Sequence, residues 1–261
     1  AGGSRISLGL QSAVDEERKA LGRRAGVKEA AASIRLAGAA GIQNLSLDLM
    51  LGIPGQTAES LRRSIDFCTQ AGVCHISAYL LKIEEGTPFA QRRASLVLPN
   101  EDTVCDLYEQ ACEELEAAGF QQYEISNFAR HGFESRHNLK YWNAEEYLGL
   151  GASAHSFLGG KRFFYPRDRN AFLRGEGPIQ DGEGGSFEEY AMLRMRLADG
   201  LIESLARQRY GCGIPPYMRE SARRMEQYGL TSQDEDGIRL TRRGFLLSNT
   251  VIAELLYPAG G

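Results

Sequence analysis

The chain has no cysteine pattern that would hold a metal. Cys68, Cys74, Cys105, Cys112 and Cys212 form neither a CxxC pair nor an iron–sulfur run. Five is also an odd number, and free cysteines are most often buried, so all five read as structural. Long apolar runs are missing as well. None approaches the roughly 20 residues that cross a bilayer, so no transmembrane helix is expected. The opening residues, AGGSRISLGL, lack the charged start and long apolar centre of a secretory signal, and the expected compartment is the cytoplasm. A basic excess is missing too. The formal net charge is -4, which leaves no footprint for nucleic acid or an anionic membrane.

What is present is an ordinary globular composition, 43% hydrophobic and 25% charged over 261 residues. That length suffices for one large domain or a domain with a smaller companion. One stretch stands out. Residues 123–157 gather one Trp, three Tyr, three Phe and three of the four His into 35 positions. Aromatics beside histidines suit a flat, apolar, metal-centred ligand better than they suit a surface loop.

The first half alternates strand and helix. Residues 5–11 (RISLGLQ) read as a short strand. Residues 27–40 are Ala-rich and helical, closed by Gly41. Residues 45–53 (LSLDLMLGI) read as a nearly continuous apolar strand, the pattern of a sheet covered on both faces. Pro54 and Gly55 break it, Thr57 caps the next helix, and Leu61, Ile65 and Cys68 share one face of that helix. Residues 75–83 form a further strand. Asn100 then caps a helix that carries Val104, Leu107, Ala111, Leu115 and Ala118, stopped by Gly119.

Such alternation implies right-handed βαβ units around a parallel sheet, with sites beyond the C-terminal strand ends. It predicts a common mouth for Gln11 and Ser12, residues 52–56, and residues 84–87. The pattern changes after about residue 160. Residues 175–185 (GEGPIQDGEGG) read as a flexible connection. Helices follow at 188–201 and 217–228, then a turn and strand at 234–240, then a last helix from Thr241 to Leu256. This is the outline of a small, mainly helical, winged-helix-like domain.

Asp48 is the sharpest anomaly of the first half. It lies between Leu47 and Leu49 in an apolar strand, where an unpaired carboxylate is costly. It must face a ligand, or a partner in a buried salt bridge or loop cap. Arg23, in LGRR, has forked donors suited to a carboxylate, although a solvated surface Arg is the ordinary reading. GIPGQT at 52–57 reads as a tight βα turn whose helix N-terminus can meet an anion. Its spacing rejects a nucleotide P-loop.

RISLGLQS, LGR, NLSLDLMLGIPGQT, HISAYLLKIEEGTPF, YEISNFAR and SRHNLKYW, in this order, resemble the oxygen-independent coproporphyrinogen III oxidase family of radical SAM proteins. LTRRGFLLSN is similar to the C-terminal domain of that family. Within it the chain resembles the HemW haem-chaperone branch, through HNLKYW (His137 to Trp142), which fits an HNxxYW motif, and YEISNFAR. True oxidases carry an IGMDHFA-like stretch there instead.

The resemblance implies an α/β fold. Residues 1–160 would be the C-terminal part of a radical SAM (βα) barrel, 161–187 a linker, and 188–261 the family's C-terminal domain. It also implies a [4Fe–4S] cluster, S-adenosylmethionine (SAM) and haem as cofactors or cargo, with Gln11, Arg23 and Asp48 contacting the SAM. Two departures are evident. Ala25 stands where the family's LGRxH has a histidine. The CxxxCxxC motif, whose three thiolates leave one iron open for SAM, is absent. In the family that motif lies before the point where this chain starts, so a shortened chain is the expectation, with an uncovered strand edge at residues 5–11.

For the haem, the resemblance makes His137 the candidate iron ligand, with Tyr141 and Trp142 packing on the porphyrin. On a helix Tyr141 shares the face of His137. Arg130 and Arg136 are candidates for the propionates. The alternative is a structural box, with Asn138 bonding backbone and Trp142 as core. His155 is a second candidate ligand; His75 is expected to pack locally and His131 to be exposed. Implied partners are haem or porphyrin and a haem-accepting respiratory protein, with a possible homodimer. An oxidase converting coproporphyrinogen III to protoporphyrinogen IX is the alternative function. A nucleic-acid module, suggested only by the winged-helix-like tail, ranks last because the arginines scattered over its helices usually form a solvated face.

Overall fold

The structure, a computed structural model, describes residues 2–258. It divides into two compact units, one ending at Glu134 and the other starting at Ser135. The first unit runs β1 (Arg5–Gln11), α1 (Asp15–Ala20), α2 (Val27–Ala39), β2 (Asn44–Leu51), α3 (Ala58–Gln70), β3 (His75–Leu80), α4 (Pro88–Gln91), α5 (Glu101–Ala117), β4 (Gln121–Gln122) and β5 (Asn127–Ala129). Its sheet has the order β1-β2-β3-β5-β4. β1, β2 and β3 are parallel, with Leu8 opposite Leu47 and Leu47 opposite Ile76. β5 closes this side antiparallel to both β3 and β4.

The sheet corrects the reading of β2. NLSLDLML is an alternation rather than a continuous apolar run. Leu45, Leu47, Leu49 and Leu51 are all buried on one face, where α3 and α5 pack. Ser46, Asp48 and Met50 point to the other face, where Ser46 is buried beside His75 and Asp48 and Met50 are half-buried. Leu61, Ile65 and Cys68 of α3 and Leu107, Ala111 and Leu115 of α5 complete the core. Each buried Leu or Ile is worth roughly 1.5–3 kcal/mol. The expected caps hold: Thr57 Oγ1 accepts from the Ser60 amide at 3.2 Å and Asn100 Oδ1 from the Thr103 amide at 2.8 Å. The short α1, β4 and β5 were not anticipated, because two to six residues carry too little periodicity to show.

The second unit runs α6 (Arg136–Trp142), β6 (His155–Leu158), β7 (Lys161–Phe164), α7 (Arg169–Leu173), β8 (Ile179–Glu183), α8 (Phe187–Arg194), β9 (Leu201–Ile202), α9 (Glu203–Tyr210), α10 (Pro216–Glu226), β10 (Thr231–Gln233), β11 (Gly237–Leu240), α11 (Arg242–Leu246) and α12 (Ser248–Leu256). It holds two antiparallel sheets, β6-β7-β8 and β10-β11-β9. Residues 161–187, expected as a linker, instead carry β7, α7 and β8. The glycine-rich segment pairs as an exposed edge strand, which its composition hid.

From α8 to β11 the element order is that of a winged helix. The helix expected at 188–201 ends earlier, because Leu201 and Ile202 join β11. Gly200 makes the turn at φ 66, where a Cβ would sit 2.1 Å from the Ile238 carbonyl oxygen. The final helix is likewise broken, at Leu247.

His75 is buried in the first unit, as local packing required. Its Nδ1 meets Ser46 Oγ and its Nε2 meets Tyr123 Oη, each at 2.8 Å. Burial, with Arg5 nearby, lowers its pKa from 6.5 to about 3. The unfolded chain takes up this proton near pH 6.5 while the folded chain refuses it until about 3. The His75 contribution is therefore whole above pH 6.5 and is lost as pH falls through that window, by on the order of 1.4 kcal/mol per pH unit. Urea unfolding at pH 7 and pH 5 should show a shallower acid loss in His75→Gln than in the parent; equal losses would contradict the assignment.

Candidate functional site

Two cavities gather most of the predicted residues, one in each unit. The first, of about 240 Å³, lies at the C-terminal ends of the parallel strands. Gln11 follows from β1, Met50 from β2, and Leu81, Glu84, Thr87 and Phe89 from the segment after β3; Arg23 enters from the loop after α1. Parallel strands in register put their ends side by side, so the convergence of Gln11 with residues 84–87 follows from the sheet. The 52–56 turn does not join them. Gln56 is buried beneath it, accepting from the Gly52 amide at 2.7 Å and donating to the Met50 carbonyl at 3.0 Å, so the turn is tied shut from within.

Gln11 is under strain. The register slips between Gly9 and Gln11, and Gln11 takes φ 63, a left-handed conformation that side chains other than glycine rarely adopt. Its side chain is buried, and Oε1 has no hydrogen-bond partner among the described residues. An orphaned acceptor of this kind costs about 1–3 kcal/mol until something donates to it. Arg23 is exposed at the same cavity, a cation beside apolar walls.

Asp48 is half-buried on the polar face of the sheet, one alternation before Met50, and does not itself line the cavity. Among the described residues no salt bridge holds it. Ser7 Oγ donates to its Oδ1 at 2.9 Å, and the Tyr79 hydroxyl bonds to it as well. Burial, then the neighbouring carboxylate, pushes the Tyr79 phenol up to about 12. Ser12, expected at the mouth, is instead buried and does not line the cavity, and sequence reasoning missed Glu17 and Arg18, which are buried with it. The only signal was a pair of adjacent charges in a short acidic and basic stretch.

The second cavity, of about 420 Å³, is aromatic. Ser135 caps α6, its Oγ accepting from the Asn138 amide. One turn apart on this helix, His137 Nε2 and Tyr141 Oη lie 2.9 Å apart, with the rings edge-on. Tyr141 in turn packs edge-on against Tyr147 at 4.5 Å. Tyr141, Trp142, Tyr147, Phe157, Arg162 and Leu193 line the space; His137 is exposed and stands one turn away from it.

Arg162 lies over the Phe157 ring at 4.8 Å and is paired with Glu189. Arg196 lies over Trp142 at 5.2 Å, and the indole Nε1 is buried with no partner among the described residues. Arg130 instead stacks on Phe120 in the first unit, while Arg136 and His131 are exposed. His155 sits on β6, stacked on Phe164 and 3.9 Å from Asp181, and does not line the cavity. Tyr147 and Phe157 belonged to the aromatic stretch; Arg162 carried no sequence signal.

Among the described residues no group of three His, Cys, Asp or Glu side chains could hold a metal. Cys68, Cys74 and Cys112 are buried, and burial raises the Cys68 and Cys74 thiols; Cys212, expected to be buried, is exposed. No helix among these residues is long and apolar enough to cross a membrane.

Residues 1–68 match the Radical SAM superfamily and residues 187–247 the HemN C-terminal domain. The chain is similar to the heme chaperone HemW of Mycobacterium tuberculosis H37Rv, 37% identical over 266 residues, covering 98% of this chain and 66% of the relative. It is also similar to the heme chaperone HemW of Bacillus subtilis, at 34% identity, 98% of this chain and 70% of the relative. The chain thus spans about two thirds of the length of these relatives. The fold is similar to coproporphyrinogen III oxidase (HemN) from Escherichia coli, a radical SAM enzyme, with a TM-score of 0.77 at 18% identity, covering 99% of this chain and 65% of that one. At that identity the likeness speaks for the fold alone.

The aromatic cavity depends on one bridge, between Tyr147 and Phe157. Gly149 permits it: a Cβ there would lie 2.2 Å from the His155 carbonyl oxygen. Gly149→Ala should therefore force the bridge apart and destabilise this unit by about 1–3 kcal/mol. Thermal unfolding by circular dichroism measures the loss, and an unchanged midpoint would show that the loop accommodates the methyl group.

Proposed function

The chain belongs to the HemW family of radical SAM proteins, and from that premise we propose that it binds haem at the aromatic cavity of its second unit and delivers it to an acceptor protein. The observation that carries this reading is the cavity itself. Four aromatic walls, one arginine and a buried indole N–H with no partner among the described residues surround a space within the roughly 300–1,000 Å³ of small-molecule sites. His137, one turn from the Tyr141 wall, is the iron ligand; Tyr141 and Trp142 pack on the macrocycle. Arg162 and the exposed Arg136 meet its carboxylates. An exposed ligand suits a donor, since an acceptor can then approach the iron directly. The expected acceptor is a haem-using respiratory protein and the expected compartment the cytoplasm.

SAM is assigned to the first cavity. The residues present fit it: Arg23 offers a fork for the methionine carboxylate, and Gln11 Oε1 is an acceptor in want of a donor. Asp48, already held by Ser7 and Tyr79, lies one alternation along the strand from the cavity wall and takes a hydroxyl-bearing or cationic part. With a [4Fe–4S] cluster, SAM supplies one-electron chemistry in this family. The described cysteines come together nowhere and do not hold that cluster.

Haem titration followed at the Soret band tests the reading. Binding should quench Trp142, the single tryptophan. His137→Ala should weaken it by at least the ~10–100-fold that loss of a supporting group costs a metal site. An unchanged spectrum and affinity would remove His137 as the ligand. An anaerobic incubation with coproporphyrinogen III separates the alternative, because only an oxidase yields protoporphyrinogen IX.

A further inference from the structure

We propose that Arg18 is the positioning residue of the first cavity, fixing Gln11 and Arg23 so that both address one ligand. This rests on the reading that the cavity binds SAM. Arg18 projects from α1 and is 4% exposed. Burying a guanidinium normally calls for a carboxylate partner, yet among the described residues Arg18 makes no ion pair. Its donors go to backbone carbonyls. Nη1 donates to the Leu10 carbonyl and, at 3.3 Å, to that of Ser12, the residues on either side of Gln11. Nε and Nη2 donate to the Ala25 carbonyl at 3.0 and 2.8 Å. The Arg18 carbonyl accepts from the Arg23 amide at 2.9 Å.

One residue therefore grips the chain around both cavity side chains. The grip lies where the backbone resists its own conformation, with Gln11 at φ 63 and Oε1 left without a donor. Glu17 supports it from the next position, its Oε2 accepting from Ser12 Oγ at 2.5 Å. A fork is required: lysine carries the charge but is a point donor and cannot span two loops. Ala25 contributes only its carbonyl, so the family's histidine side chain is not needed for this grip.

The test uses isothermal titration of SAM into the full chain, in a cycle of Arg18→Lys and Gln11→Ala. Arg18→Lys should weaken SAM about tenfold, and the double variant should lose at least threefold less than the two single losses combined, because Arg18 acts partly through Gln11. The loss of thermal stability from Arg18→Lys should be the same in both backgrounds. Full additivity in binding would make Arg18 a purely structural residue and overturn the proposal, as would parent-like affinity in Arg18→Lys. If Gln11→Ala binds SAM as the parent does, the SAM reading fails and the proposal with it. If Arg18→Lys does not fold, Arg18→Gln, which removes the buried charge and keeps one donor group, takes its place in the same cycle with the same expected coupling.

Discussion

The register of three parallel strands is the constraint on which the first unit depends. Leu8, Leu47 and Ile76 lie in one row; Leu47 and Ile76 are fully buried, and they can be so only if Ser46, Asp48 and Met50 turn to the opposite face. A slip of one residue would exchange the faces and bury Asp48 among leucines. The same register aligns the strand ends, which is why Gln11, Met50 and Leu81 meet at one cavity although some seventy positions separate the first from the last.

Polar groups on the opposite face are settled by one another rather than by ions. Ser7 and Tyr79 hold Asp48; Ser46 and Tyr123 hold His75. Each bond is worth only about 0.5–1.5 kcal/mol net, but losing one partner leaves a buried group unmet, which costs more. Gln11 Oε1 is the exception, left without a partner among the described residues beside a strained backbone. Unmet polarity and strain persist where the surroundings enforce them, and here Arg18 supplies the enforcement.

The second unit achieves its cavity differently. No parallel sheet aligns the walls. A seven-residue helix supplies Tyr141 and Trp142, and a single bridge between Tyr147 and Phe157 brings the facing side into place. Arg162 reaches the space from β7 and is held by Glu189 on α8. The two cavities are thus unlike in chemistry: one small, with an unmet amide acceptor and a cation, the other larger and aromatic. That difference matches the separate ligands proposed for them.

Much of the architecture was legible in the residues. Thr57 and Asn100 announce their helices, because a side-chain cap is a local event. The α/β order, the winged-helix tail and the Tyr141–His137 face all follow from short-range periodicity. Ordered motifs carried the family. What the sequence could not disclose was long-range. The alternation in β2 was masked by leucine and methionine. The edge strand at residues 179–183 was hidden in glycine and charge. Gly200 turns the chain into β9, against a strand 38 residues away. Arg18 reads as one charge in DEERK, and only the fold, by folding two loops back onto α1, turns its guanidinium into a link between Gln11 and Arg23. Local patterns determine elements; which carbonyls surround a buried cation is decided by chain segments that meet only in three dimensions.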